Sequence, residues 1–480
     1  MFLSDLEDLE DISNLLDFED QPSIFTEEYA VELVETALHL MDEYILCNPH
    51  VISEPDFHDI LLEEIKDIFY IQIEDYIEGE NLINSDDIED DMNELLEDAF
   101  QIFITVFYPD KCIGMYNDDK KTGLEFKYDD EELAIIEKKI QMLRDIPQPE
   151  QRTSEWYKFR WNLITASNAW KAFESQPAIN QLIYEKCQPL KVINDEEEDI
   201  KMVNTNTPLH WGQKYEPLTV MMYERDFQTK VEDFGCIQHP KYKFIGASPD
   251  GIIVNKESER YGRMLEIKNV VSRDINGIPK KEYWIQMQLQ MEVCDLDECD
   301  FLETKFTEYP DEQAFMNDTF KENLVNDNEG NGPDQNLTIS LDNKTKGIIL
   351  YFHTKEGKPF YKYKPLDITK ETEIKIWEET ELEKYESAPY NYTFLKFIYW
   401  KLEKLSCVLV LRNKEWFKNN IGQLEKVWKI IEEERVSGYE HRAPVKKHKK
   451  DALKPFIEKD QCCLLKFTNI IKIDTSNDSV

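Results

Sequence analysis

Residues 248–270 read SPDGIIVNKESERYGRMLEIKNV. Two runs rich in Ile, Val and Leu, GIIV (251–254) and MLEIKNV (264–270), have the composition of strands. The polar KESERYG between them (256–262) suits a hairpin connection, so the runs are expected to pair antiparallel. That pairing brings Asp250 beside the second run. Side chains two apart on a strand face the same side, so Glu266 and Lys268 point together, toward Asp250. Two carboxylates converging on one point repel each other unless a cation lies between them. Oxygen ligands of this kind suit Mg²⁺, with Mn²⁺ as a substitute, and such ions keep several waters. The adjacent lysine can orient a water or offset charge on a phosphate under attack. Taken alone, Glu-x-Lys on a strand is more often an ion pair on a solvent face. Three further stretches tip the reading toward a site.

The first is HWGQKYEPLTVMMYERDF (210–227), with helical spacing from Gln213 and Glu216 as its inward carboxylate. Glu216 would add a third acidic ligand; standing alone it would read as an exposed helix charge. The second is RTSEWYKFRWNLITASNAW (152–170). Arg152, Trp156 and Arg160 recur every four residues and share one helix face. After Leu163-Ile164, Thr165-Ala166-Ser167 opens another helix. Free backbone N–H groups at a helix start, the Ser167 hydroxyl and Arg160 together make a phosphate pocket. The plainer alternative is an ordinary Ser or Thr N-cap. The third is EYWIQMQLQMEVCDLDECDFLETKF (282–306), an apolar helix, a turn at Asp295–Glu298, then a strand. Gln286 shares a face with Gln290 and with Tyr283. Amides beside a metal site can hold a water or a substrate backbone; surface glutamines on a packing helix are the bland alternative.

The net charge of −42 over 480 residues looks wrong for a protein that binds nucleic acid, but its distribution matters more than its sum. Residues 1–100 hold 32 acidic residues and one basic residue, Lys66, while the last 330 residues carry only −7. A basic groove is therefore compatible with the rest of the chain. The acidic surface reads as a solvated outer face or, more sharply, as a DNA-mimicking or partner-binding surface. The nine cysteines include no CxxC pair, which argues against structural zinc and for reduced, mostly buried thiols. No apolar run reaches about 18 residues, so no membrane span is expected. The acidic N-terminus lacks the features of a signal or transit peptide. The expected location is intracellular, in the cytosol or nucleus, rather than secreted.

The expected organisation is an acidic tail (1–23), an acidic helical domain (24–110) and a helical linker (111–150). A core spans 151–365, with loop insertions near 194–206 and 311–346. A helical C-terminal region (366–440), with an apolar face through FLKFIYWKLEKL, precedes a basic tail (441–480). The KKHKK run (446–450) is open to reading as a phosphate contact, a nuclear localisation signal or a plain solvated tail.

Arg152…Trp156…Arg160…Thr165-Ala166-Ser167, Trp211-Gly212…Tyr215-Glu216, Ser248-Pro249-Asp250-Gly251, Leu265-Glu266-Ile267-Lys268 and Tyr283-x-x-Gln286-x-Gln288 occur in that order. The series resembles that of the YqaJ-like viral recombinases, relatives of phage lambda exonuclease, in the versions found in giant DNA viruses. The likeness covers about residues 152–307. It implies an α/β (α+β) PD-(D/E)XK, restriction-endonuclease-like core: a mixed sheet flanked by helices. It implies that Asp250 and Glu266 bind Mg²⁺, joined by the Ile267 carbonyl, with Glu216 near the metals. Lys268 would assist the water, and Gln286 would stand beside that lysine. Arg160 and Ser167 would form a pocket for a DNA 5′-phosphate. Arg152, Thr165, Tyr283 and Gln288 are expected on the DNA side. The implied activity is 5′-to-3′ digestion of one strand at double-stranded DNA ends in recombination or repair. A single-strand annealing protein and a homo-oligomer are the implied partners. An endonuclease of the same fold and an inactive DNA-end-binding or partner-binding scaffold are the alternatives.

Overall fold

The computed structural model describes residues 25–444, except 49, 50, 52, 53, 55, 56, 80–84, 105–128, 152, 191–203, 206, 276 and 321–334. The tail expected at 1–23, most of the insertion near 194–206, the KKHKK run and Arg152 lie outside the described residues.

Three helices begin the described chain: α1 (Glu27–Cys47), α2 (Phe57–Gly79) and α3 (Ser85–Ile102). Thr26 caps α1 by accepting from Tyr29 N. Val34, Leu38, Met41 and Ile45 recur at helical spacing and are fully buried against Phe57, Phe69, Met92 and Phe103. The same apolar cluster reaches Val408, with Leu409 and Ile278 packed against it. The bundle is thus seated on the rest of the molecule by apolar contact. Next, α4 (Asp130–Asp145) starts with a capping box between Asp129 and Glu132 and stops just before Pro147.

The remaining elements are α5 (Ser154–Trp161), β1 (Ile164–Thr165), α6 (Ala166–Ala169), α7 (Gln176–Cys187) and α8 (Pro208–Asp226). They continue with β2 (Val231–Glu232), β3 (Ile237–Gln238), β4 (Ile245–Ala247), β5 (Gly251–Ile253), β6 (Met264–Val270), α9 (Lys281–Cys294) and β7 (Glu298–Glu308). The last are α10 (Glu312–Asn317), β8 (Lys346–His353), β9 (Pro359–Tyr363), α11 (Glu371–Glu386), β10 (Thr393–Leu411) and α12 (Lys414–Ser437). A seven-stranded sheet runs β2-β5-β6-β7-β10-β8-β9, and a small sheet runs β1-β4-β3. In the large sheet only β6 and β7 are parallel. Parallel neighbours need a crossover, and α9 is that crossover, laid across one face of the sheet. Side-chain alternation divides the core accordingly. Met264 and Phe301 face α9, where Trp284, Ile285 and Leu289 pack on them together with Leu424 and Val427 of α12. Leu265, Ile267 and Leu302 face Tyr223 of α8 on the other side. The fold is therefore a mixed sheet flanked by helices.

The C-terminal region differs from the expectation of helices throughout 366–440. Thr393–Leu411 is a strand, paired with β7 on one side and β8 on the other. FLKFIYWKLEKL offers apolar residues at both helical and strand spacings, and an isolated reading cannot choose between them. Its aromatic and β-branched content suits a pleated surface, and β8 pairs with its first half (393–401) and β7 with its second (400–411), so ladder partners run along nearly its whole length. Register shifts at Leu402/Lys404 and Phe394/Lys396 mark bulges along it.

The segment near 311–346 is likewise not all surface loop. Phe315 on α10 is buried, and the buried Lys346 ammonium donates to Phe315 O at 2.6 Å, Asp318 O at 2.9 Å and Thr319 Oγ1 at 2.7 Å. The described cysteines are unpaired thiols, buried at 187, 236, 294, 299 and 407 and exposed at Cys47. Among the described residues no helix is long and apolar enough to cross a membrane.

Gly347 stands opposite Trp400 in the ladder. A Cβ added there would lie 2.6 Å from Trp400 Cζ2 and 3.0 Å from Cε2, inside a rigid, buried ring. At Gly422, exposed in α12, a Cβ meets nothing within 4 Å. Urea denaturation of Gly347→Ala is expected to show a loss of about 1–3 kcal/mol. Gly422→Ala is expected to gain about 0.5–1 kcal/mol. Equal effects would mean that the Trp400 slot is not tight.

Candidate active site

Parallel pairing of β1 with β4 aligns Ile164 with Ile245 and Thr165 with Gly246. The chain leaves both strands at the same edge. Thr165 and Ser167 therefore emerge beside Ser248 and Asp250. Antiparallel pairing of β5 with β6 sets Gly251 opposite Leu265, and Asp250 N donates to Leu265 O at 3.1 Å. The Asp250 carboxylate accepts from Ile267 N at 2.7 Å, which anchors it against the middle of β6. Glu266 and Lys268 project from the α9 face of that strand, and the Lys268 ammonium donates to Glu266 Oε1.

Helix α9 completes the arrangement. Gln286 donates to Glu266 Oε1 and Gln290 donates to Glu266 Oε2, both at 2.7 Å. These glutamines are four apart, one helical turn, so one face delivers both amides. Glu266 is only 1% exposed, and three donors compensate for its burial. Gln290 also donates to Ser248 O at 3.1 Å, tying the β6 carboxylate to the loop that carries Asp250. Ser248 Oγ lies 3.5 Å from Arg160 Nη1, and Arg160 is stacked 4.6 Å over Trp156. Thr165 Oγ1 and Ser167 Oγ are 3.3 Å apart.

One cavity of about 740 Å³ joins these groups: Arg160, Thr165, Ser167, Asp250, Glu266 and Lys268 line it, with Glu216, Ile267, Tyr283 and Gln286. Glu216 arrives from the N-terminal half of α8. The Asn269 side chain holds that helix end by donating to Gly212 O at 3.0 Å, while it accepts from Thr219 and Thr304. Tyr283 lies under the Lys268 ammonium, 5.0 Å from ring centroid to nitrogen.

Gln288 is placed elsewhere, which corrects the expectation that it faces DNA. It is buried, donates to Leu411 O at 2.8 Å and accepts from Asn413 N at 2.6 Å. Two residues on from Gln286, it turns to the far side of the helix and pins the β10–α12 junction. Gln290 lies on the face it shares with Gln286, as its spacing predicts, and is fully buried. Other nearby groups carry no such signal in the sequence. Arg273 and Lys280 follow β6 in an irregular loop with no periodic signal. Glu303 of β7 is buried beside Lys268 in the register and pairs with Arg273. Only the pairing of β6 with β7 reveals it.

Burial, and then the neighbouring Glu266 charge, push the Asp250 carboxyl well above the usual aspartate range. For Lys268, burial opposes the charge, but the Glu266 and Asp250 carboxylates outweigh it and raise the ammonium above its ordinary value. The lysine therefore stays charged at neutral pH. Asp250 and Glu266, which line the cavity with Ile267, offer oxygen donors of the kind that suits a hard divalent cation. Among the described residues no three acidic, histidine or cysteine side chains close on a single point. An ion held here would therefore complete its shell with water, as Mg²⁺ does. The raised Asp250 carboxyl fits such a role, because a cation relieves the repulsion that raises it.

Asp250 thus stands beside a Glu-x-Lys strand, on a mixed sheet crossed by a glutamine-bearing helix. Residues 155–297 match the family model of the YqaJ-like viral recombinase domain. An uncharacterized protein of Acanthamoeba polyphaga mimivirus is 32% identical over 318 residues, 61% of this chain and 54% of that protein. The chain thus spans about half the length of the curated relative it matches. Among solved structures, an alkaline exonuclease from Laribacter hongkongensis is 15% identical. The match covers 59% of this chain and 94% of that one, with a TM-score of 0.31. The complex of that exonuclease with dAMP is 17% identical, covering 60% and 95%, with a TM-score of 0.29.

The raised Asp250 value sets a sign. Its unfolded value is near 3.8 and its folded value lies above that. The folded state then holds the extra proton, so stability is full below the unfolded value and falls as pH rises through the folded one. In EDTA, Asp250→Asn is expected to melt higher than the unsubstituted protein at pH 8, the two converging near pH 4. A lower melting point for the variant at pH 8 would contradict the buried repulsion.

Proposed function

We propose that the protein is a Mg²⁺-dependent DNA nuclease, a 5′-to-3′ exonuclease acting on duplex ends in viral recombination or repair. The observation that supports this most is a single cavity joining the Asp250–Glu266–Lys268 group to Arg160, Thr165 and Ser167. One end of it suits a cation and a water; the other suits a phosphate.

Asp250 and Glu266, with the Ile267 carbonyl, would hold the ion, and Glu216 would hold its waters. A bound divalent cation supplies Lewis acidity and a more acidic water. Lys268, charged and partly exposed, orients that water and offsets charge on the phosphate as it is attacked. Gln286 and Gln290 keep the Glu266 carboxylate fixed through the reaction. Arg160, with the Thr165 and Ser167 hydroxyls, takes the terminal 5′-phosphate and so sets which phosphodiester reaches Lys268. Tyr283 borders the substrate beside the lysine. Delivery of the remaining strand to an annealing protein, a homo-oligomeric state and an intracellular location go with this reading.

Linear duplex DNA, with and without 5′-phosphates, is the substrate for the test, in Mg²⁺ or EDTA. Loss of DNA is expected only with Mg²⁺ and faster with the 5′-phosphate. Glu266→Ala and Lys268→Ala should each reduce the rate at least about a hundredfold. Arg160→Ala should remove the preference for the phosphate. Cutting of closed circular DNA would point to an endonuclease, and a folded protein that cuts nothing would point to a binding scaffold.

A further inference from the structure

A second cavity, of about 440 Å³, opens on the other side of Arg160. That volume falls within the usual range for small-ligand sites, roughly 300–1,000 Å³. Arg160 lines both cavities, and Asn168, next to Ser167, lines the second. The second cavity therefore begins where the proposed end-phosphate pocket stops.

Its walls are cationic and aromatic. The buried Lys186 ammonium donates to Arg160 O at 2.9 Å. Arg435 of α12 lies flat on Trp161, 3.5 Å from its ring centroid, and donates to both Trp161 O and Lys186 O. The nearby Glu185 carboxylate is paired with Lys171. Burial first, and then the Arg160 and Arg435 charges, push the Lys186 ammonium down to about 8. Tyr157 stands at the rim, 42% exposed, its ring in a T-shaped contact with Trp156 at 4.9 Å. Trp161 is held rigid from both sides, since its Nε1 donates to Gln188 O at 2.8 Å. Fixed aromatic faces beside cations are what unpaired nucleotides bind, because every base has a face to stack and every link carries a negative phosphate.

We propose that this cavity is a subsite for the unpaired nucleotide that continues 5′ from a phosphate held at Arg160, so that the protein accepts ends with a single-stranded 5′ extension as well as flush ends. The proposal rests on the nuclease reading and deepens it. Where an extension is present, the phosphate at Arg160 is an internal one at the junction of single and double strand. The next base lies on Tyr157, and its phosphate faces Lys186.

Binding without divalent cation separates this from catalysis. The full chain is titrated in EDTA against labelled, 5′-phosphorylated hairpin duplexes by fluorescence anisotropy. One duplex is flush, one carries two unpaired 5′ nucleotides, and one carries two abasic positions there. The extended duplex is expected to bind roughly fivefold or more tightly than the flush one, with the abasic duplex losing most of that gain. Tyr157→Ala is expected to remove the gain and leave flush-end affinity unchanged, and Tyr157→Phe to restore it. Weaker binding of the extended duplex overturns the subsite while leaving the nuclease reading intact. So does an equal loss on all three duplexes in Tyr157→Ala. No binding to any duplex removes the subsite and the nuclease reading together.

Discussion

Two carboxylates, the half-buried Asp250 and the buried Glu266, meet at the same stretch of β6, and like charges so placed must be compensated locally. Much of the fold around them can be understood as supplying that compensation. Lys268 brings a full charge from the same strand face. Gln286 and Gln290 bring two amide donors from α9, and Ile267 N brings a backbone donor to Asp250. An amide is a useful partner here. It satisfies a carboxylate oxygen without neutralising it, so the negative field that would attract a cation is kept.

The parallel pairing of β6 with β7 makes this possible. It forces a crossover, and the crossover helix lies over the strand face from which Glu266 projects. The same helix turns Gln288 away to hold the start of α12, and α12 carries Arg435 to the wall behind Arg160. One helix therefore positions the carboxylate, braces the C-terminal part and, through Gln290 and Ser248, links the Glu266 end of the cavity to its Arg160 end. A disturbance at either end has a short, hydrogen-bonded path to the other.

The acidity of the chain is compatible with this chemistry because it is segregated. The strongly acidic helices α1–α3 bury their apolar stripes together and meet the sheet through Val408, Leu409 and Ile278. Arg160, Lys268, Arg273 and Lys280 all line the main cavity. Charges so segregated set a field along the surface that leaves the cavity open to an anionic ligand.

The local chemistry was legible in the sequence. The strand pair 251–254 and 264–270, the i, i+2 pair Glu266 and Lys268, and the i, i+4 pair Gln286 and Gln290 follow from backbone periodicity, which is local. Other features depended on contacts between distant segments. Whether 393–411 became helix or strand was decided by pairing with β8 along its first half and β7 along its second, because its residues suit both spacings. That Gln290 is buried and Gln288 points away followed from how α9 lies on the sheet. Glu303 comes beside Lys268 only through the register of β7 on β6, and Arg435 reaches Trp161 and Lys186 only through the return of α12. Short-range periodicity determines which side chains share a face. What those faces meet is a property of the packed chain, since burial and long-range pairing involve residues far apart in sequence.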